Sequence, residues 1–158
     1  MKLLRCIRFD PSDTQVYPLA AEPGEWAVPG TFVFADAEPD TLDHARKQAF
    51  ANGFLGLGSF GWSTLVTVAT ATADDYEAAV ANLAGHLVAH YGAPSIAAAR
   101  AAAQEEVDYA ASLCEQPVNT LLALNRFIEG DAIREQFRIV SPPGEAVHAR
   151  IWDIEPDA

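Results

Sequence analysis

Residues 119 to 140, NTLLALNRFIEGDAIREQFRIV, restrict the fold more than any other stretch of this chain. Two β-rich runs flank Gly130-Asp131, a turn pair expected in a tight hairpin. With Ile128 opposite Ile133, the same register sets Arg126 against Glu135, Leu124 against Phe137 and Leu122 against Ile139. Ala123, Asn125, Phe127, Arg134, Gln136 and Arg138 then share the other face. A slip of one residue would exchange the two sets, so the pattern specifies its own register. Arg126 and Glu135, facing each other among apolar side chains, read first as a cross-strand ion pair and second as a polar site in an apolar pocket. Arg134 and Arg138 lie together on the polar face, where they could hold a carboxylate or phosphate, or simply be solvated.

The remaining elements follow from local signals. Residues 2 to 9 read as a strand stopped by Asp10-Pro11-Ser12-Asp13, and residues 14 to 20 and 26 to 35 read as two further strands around Glu22-Pro23-Gly24. Asp40 is the expected N-cap of a first helix that runs through Phe50 and stops before Gly53. Residues 62 to 70, WSTLVTVAT, form a strand by their β-branched content. Thr72 should cap a second helix that reaches Tyr91 and ends at Gly92, with Tyr76, Val80, Leu83, Leu87 and Tyr91 on its apolar stripe. Ser95 should cap a third helix running to about Glu115, its packed face carrying Ile96, Ala103, Val107, Ala110 and Cys114. The result is an α+β domain over residues 1 to 140: an antiparallel or mixed sheet with about three helices packed mainly on one face. Residues 141 to 158 form a C-terminal extension, in which VHARIW could add one more strand before an acidic tail.

Between the first predicted helix and the strand at Trp62 lies GLGSFGWSTLV, which fits G-x-G-x-x-G. A dinucleotide loop must follow a strand and open a helix, and here the order is reversed. A kinase loop would need a lysine on the following strand and H-R-D and D-F-G motifs downstream, and none occurs. The loop therefore reads as a structural turn, with Phe60 and Trp62 as candidates for a ligand or partner contact.

The formal net charge of -12 sets an average field that repels nucleic acid and anionic membranes. Six of the ten basic residues, Lys2, Arg5, Arg8, Arg126, Arg134 and Arg138, sit on predicted strands, so a sheet face could be locally positive. No signal-peptide core or membrane-length apolar run is present, which makes the cytoplasm the expected compartment. Cys6 and Cys114 lack metal or redox spacing and are expected to be free and buried. His86 and His90, four apart on one helix, have a spacing that zinc sites use, but no intervening glutamate and no obvious third ligand.

The segments IRFDPSDTQVYPLAAEPGEWAVPGTFVF, GFLGLGSFGWSTLV and AIREQFRIV make the chain resemble a family of small uncharacterised bacterial proteins, mainly alphaproteobacterial, over residues 1 to about 140. The resemblance implies a free-standing cytoplasmic domain and assigns no catalytic residue. The expected role is a non-catalytic accessory or interaction protein, binding another protein or itself, with no cofactor. The alternatives are a small enzyme or small-molecule binder with an arginine-lined anion pocket, and a metal-binding protein using His86 and His90.

Overall fold

The computed structural model describes residues 1–140. Its strands are β1 (Lys2–Ile7), β2 (Trp26–Val28), β3 (Phe54–Gly56), β4 (Trp62–Ser63), β5 (Leu65–Thr70), β6 (Leu121–Glu129) and β7 (Ala132–Val140). The helices are α1 (Ser12–Val16), α2 (His44–Asn52), α3 (Ala73–His90) and α4 (Ile96–Ser112). All seven strands join one antiparallel sheet in the order β4-β3-β2-β1-β5-β6-β7, so the fold is α+β.

The hairpin β6–β7 forms in the register its alternation dictates, with Ile128 opposite Ile133, Arg126 opposite Glu135 and Leu122 opposite Ile139. Only the first residues of β6, Leu121 to Ala123, pair with β5. The rest of the hairpin overhangs the sheet and reaches α2, where Asn52 Nδ2 donates to the Leu124 carbonyl at 3.2 Å. At the centre of the sheet, Leu4 and Cys6 stand opposite Val68 and Val66, and Leu4, Val66 and Val68 are fully buried. Each such side chain removed from water stabilises the fold by roughly 1.5–3 kcal/mol.

Helix α3 begins with a reciprocal cap: Thr72 Oγ1 accepts from the Asp75 N–H at 3.0 Å, and the Asp75 carboxylate accepts from the Thr72 N–H at 2.9 Å. It ends where Gly92 turns left-handed at φ 68°. Val80, Leu83 and Leu87 of α3 are buried, as are Ala99, Ala103, Val107 and Ala110 of α4. The alanines let α4 approach both α3 and the sheet closely. Ile96 is an exception to its predicted core position: as the first residue of α4 it is 65% exposed.

Several expected strands are shorter or absent. Residues 14 to 20 do not form a strand, because Asp10 and Pro11 start a local turn in which the Ser12 N–H donates to Asp10 Oδ1 and Thr14 Oγ1 donates to the Pro11 carbonyl. These bonds satisfy the backbone in α1 instead. The expected strand over 26 to 35 ends at Val28: Pro29 has no N–H to continue the ladder, and Gly30 at φ 79° turns the chain into a 3₁₀ segment, Thr31–Phe34. The run over 62 to 70 is broken at Thr64, whose N–H and hydroxyl both donate to buried Asp13. Helix α2 starts three residues later than expected, with Asp43 rather than Asp40 as its cap, accepting from the Arg46 N–H at 2.8 Å. The expected strand VHARIW lies outside the described residues.

Candidate functional site

The glycine loop does bind an anion, and the anion belongs to the chain. Glu25 Oε1 accepts from the N–H groups of Gly58 and Ser59, both at 2.7 Å. Glu25 Oε2 accepts from Ser59 Oγ at 2.7 Å and from the Glu22 N–H at 2.6 Å. Successive N–H groups aimed at one point form an anion nest, and here a side chain fills it. A Cβ on Gly56, the last residue of β3, would stand 2.5 Å from Glu25 Oε1, so a side chain there would push the carboxylate out of the nest. Burial raises the Glu25 carboxyl, but the donors from Ser59, Glu22 and Gly58 outweigh it and hold the group below its usual range.

Because the folded value is depressed, the nest's contribution is full above the unfolded value of about 4.3 and is lost as pH falls through the folded value. Glu25→Gln should lower stability by about 2 kcal/mol at neutral pH, since an amide offers one acceptor where the carboxylate offers two. Denaturant titrations between about pH 6 and pH 3 should show the gap between the two proteins closing in acid. A gap that stays constant would contradict the nest.

Beyond the nest, the loop presents Phe60 at φ 60°, a left-handed conformation that is an outlier for a bulky side chain. Its ring lies flat on His86, centroids 3.7 Å apart and planes within 1°. His86 in turn lies 4.8 Å from His90 and 5.5 Å from Tyr91, and Tyr91 meets Phe32 edge-on at 5.4 Å. Tyr91 is 43% exposed, and with His90 and half-buried Phe60 it makes an aromatic patch where the loop meets the end of α3. Burial, and then the neighbouring His90, hold the His86 imidazole below its usual range. Phe60 and His86 are 26 residues apart, and nothing local in either segment signals that they touch.

Trp62 faces inward, 8% exposed, with its ring 5.3 Å from Phe34. Since the left-handed backbone costs Phe60 about 1–2 kcal/mol, Phe60→Gly should recover most of what the lost stack removes, whereas Phe60→Ala should lose the stack and keep the strain. Thermal denaturation should therefore rank Phe60→Gly above Phe60→Ala, by about 1 kcal/mol. The opposite order would mean that the conformation is unstrained.

The three arginines of the hairpin separate. Arg126 is 2% exposed and spends its donors on the protein: Nε on Thr31 Oγ1, Nη1 on the carbonyls of Ala49 and Phe50, and Nη2 on those of Pro29 and Gly53. Glu135 stands 3.8 Å from Nε and is itself held by Thr31 and Tyr109 hydroxyls. Burial pulls the Arg126 guanidinium down to about 10, against the upward pull of Glu135. Arg134 is exposed on the opposite face and pairs with Glu129 at 3.1 Å. Arg138 is exposed beside an open hollow lined by Ser112, Glu115, Gln116 and Phe137. Arg134 does not line that hollow.

Cys6 and Cys114 are free and buried, and burial pushes their thiols up to about 12 and about 11, away from nucleophilic use. Among the described residues no three His, Cys, Asp or Glu side chains are grouped to hold a metal, and no helix is long and apolar enough to cross a membrane. Residues 1–153 match the model of a family of unknown function, DUF6505, and the chain belongs to that family. No curated protein and no solved structure matches it.

Proposed function

We propose that this DUF6505 protein is a non-catalytic accessory protein of the bacterial cytoplasm that docks another protein, or a second copy of itself, through the patch of Phe60, His86, His90 and Tyr91. One observation carries the reading: the chain holds a phenylalanine in a strained backbone conformation to lay it on a histidine at the surface. Strain kept at a partly exposed residue, beside a folded loop whose own anion is already supplied, is understandable if the ring has work outside the fold. Aromatic side chains supply contact area at small entropic cost, which is why they dominate interface centres. The arginine alternative has less support, because Arg126 is fully engaged and Arg134 lies open to solvent.

Affinity capture from the native cell with quantified mass spectrometry tests the patch. A partner enriched by the wild type should be lost with Phe60→Gly and retained with the Arg134→Ala, Arg138→Ala double variant. Retention with Phe60→Gly and loss with the arginine variant would move the interface to the hairpin face.

A further inference from the structure

We infer that the hollow lined by Phe34, Trp62 and Arg46 is a binding site for a small apolar carboxylate, a single ring or branched chain bearing one acid group. Pro18, Val33, Phe34, Arg46, Ala49 and Trp62 line a cavity of about 200 Å³. Its floor is preformed: Phe34, Ala49 and Trp62 are 2%, 1% and 8% exposed. Phe34 is fixed between Phe50 and Trp62, its ring 5.3 Å from each. A dry cavity of about 150 Å³ is enough to take benzene, so this volume suits one ring with a short substituent. It falls below the roughly 300–1,000 Å³ of pockets for drug-sized ligands, which argues against a nucleotide.

Arg46 gives the site its chemistry. It is the one ionisable residue of the lining, it stands at the exposed rim, and among the described residues its guanidinium has no hydrogen-bond or ion-pair partner. Asp43, which caps the same helix, turns a carboxylate oxygen to the backbone N–H of Arg46. A guanidinium at an apolar mouth matches a planar carboxylate with two parallel donors while the ligand's ring rests against the floor of Phe34, Ala49 and Trp62. The site uses neither the Glu25 nest nor Phe60, so it stands whether or not the patch docks a partner.

Isothermal titration of the full chain with 3-phenylpropionate and with its neutral amide, 3-phenylpropanamide, separates the two parts of the site. The acid should bind about tenfold more tightly than the amide, with a dissociation constant in the range of roughly 0.1–1 mM for a ligand of this size. Arg46→Gln, a change on an exposed helix face, should remove that preference, so that acid and amide bind this variant alike. Failure of both probes to bind, equal binding of acid and amide, or an Arg46→Gln protein that keeps the preference would each overturn the assignment.

Discussion

Replacing Arg126 by methionine is expected to lower the unfolding free energy by about 4 kcal/mol, enough to bring the melting temperature down by about 10 °C for a chain of this size. The guanidinium joins three regions that no backbone ladder connects to β6. Its 2.8 Å bond to the Phe50 carbonyl and 3.3 Å bond to that of Ala49 cap the C-terminus of α2, where a cation also meets the negative end of the helix dipole. Its 2.7 Å bond to Pro29 and 3.3 Å bond to Gly53 hold the end of β2 and the entry to β3. Methionine replaces the stem but leaves these buried carbonyls without that donor, and each unmade bond costs about 1–3 kcal/mol. Lysine keeps the charge but cannot cover so many acceptors, so Arg126→Lys should fall between methionine and wild type. Urea denaturation alongside Arg134→Met provides the scale, since exposed Arg134 should change stability by less than about 0.5 kcal/mol. Similar small losses at both positions would show that the overhanging hairpin does not depend on this residue.

The second large effect is expected at Gly61. A Cβ there would stand 2.6 Å from the Ala20 carbonyl carbon and 2.7 Å from both the Ala20 oxygen and the Ala21 nitrogen, all backbone atoms that cannot rotate away. Relief requires parting the contact in which the Trp62 N–H donates to Leu19 and the Ala21 N–H donates to Trp62, both at 2.9 Å. Gly61→Ala should therefore cost about 3 kcal/mol, within the range for forced overpacking and lost buried bonds. Gly85 in α3 is the control, because an added Cβ meets nothing within 4 Å. Gly85→Ala should stabilise by about 0.5–1 kcal/mol through helix propensity. A Gly61→Ala protein as stable as Gly85→Ala would mean that the loop does not pack on Ala20 as described.

The features legible in the sequence are those whose cause is local. The register of β6–β7 follows from alternation and one turn pair, and the Thr72 cap from two side chains three residues apart. What escaped involves distant backbone. Alternation sets Arg126 against Glu135, its cross-strand neighbour, yet its acceptors are Thr31 and four carbonyls, which no side-chain pattern advertises. No local pattern marks Glu25 as the acceptor, although a run of free N–H groups in a glycine loop calls for one and an acidic chain can supply it itself. Arg46 and Tyr91 gain their significance only from α2 and α3 lying beside the 3₁₀ segment Thr31–Phe34. Residues 14 to 20 show the converse: the run reads as a strand, and hydrogen bonds within Asp10 to Thr14 prevail.

Native mass spectrometry of the chain purified gently from its own cell, wild type beside Phe60→Gly, decides whether the Phe60 and His86 patch docks a protein. The wild type should have a mass above that of one chain, either a multiple of it or the sum with a second protein, and the Phe60→Gly protein should be folded and of single-chain mass. A single-chain mass for both, or an assembly that Phe60→Gly leaves intact, would contradict it.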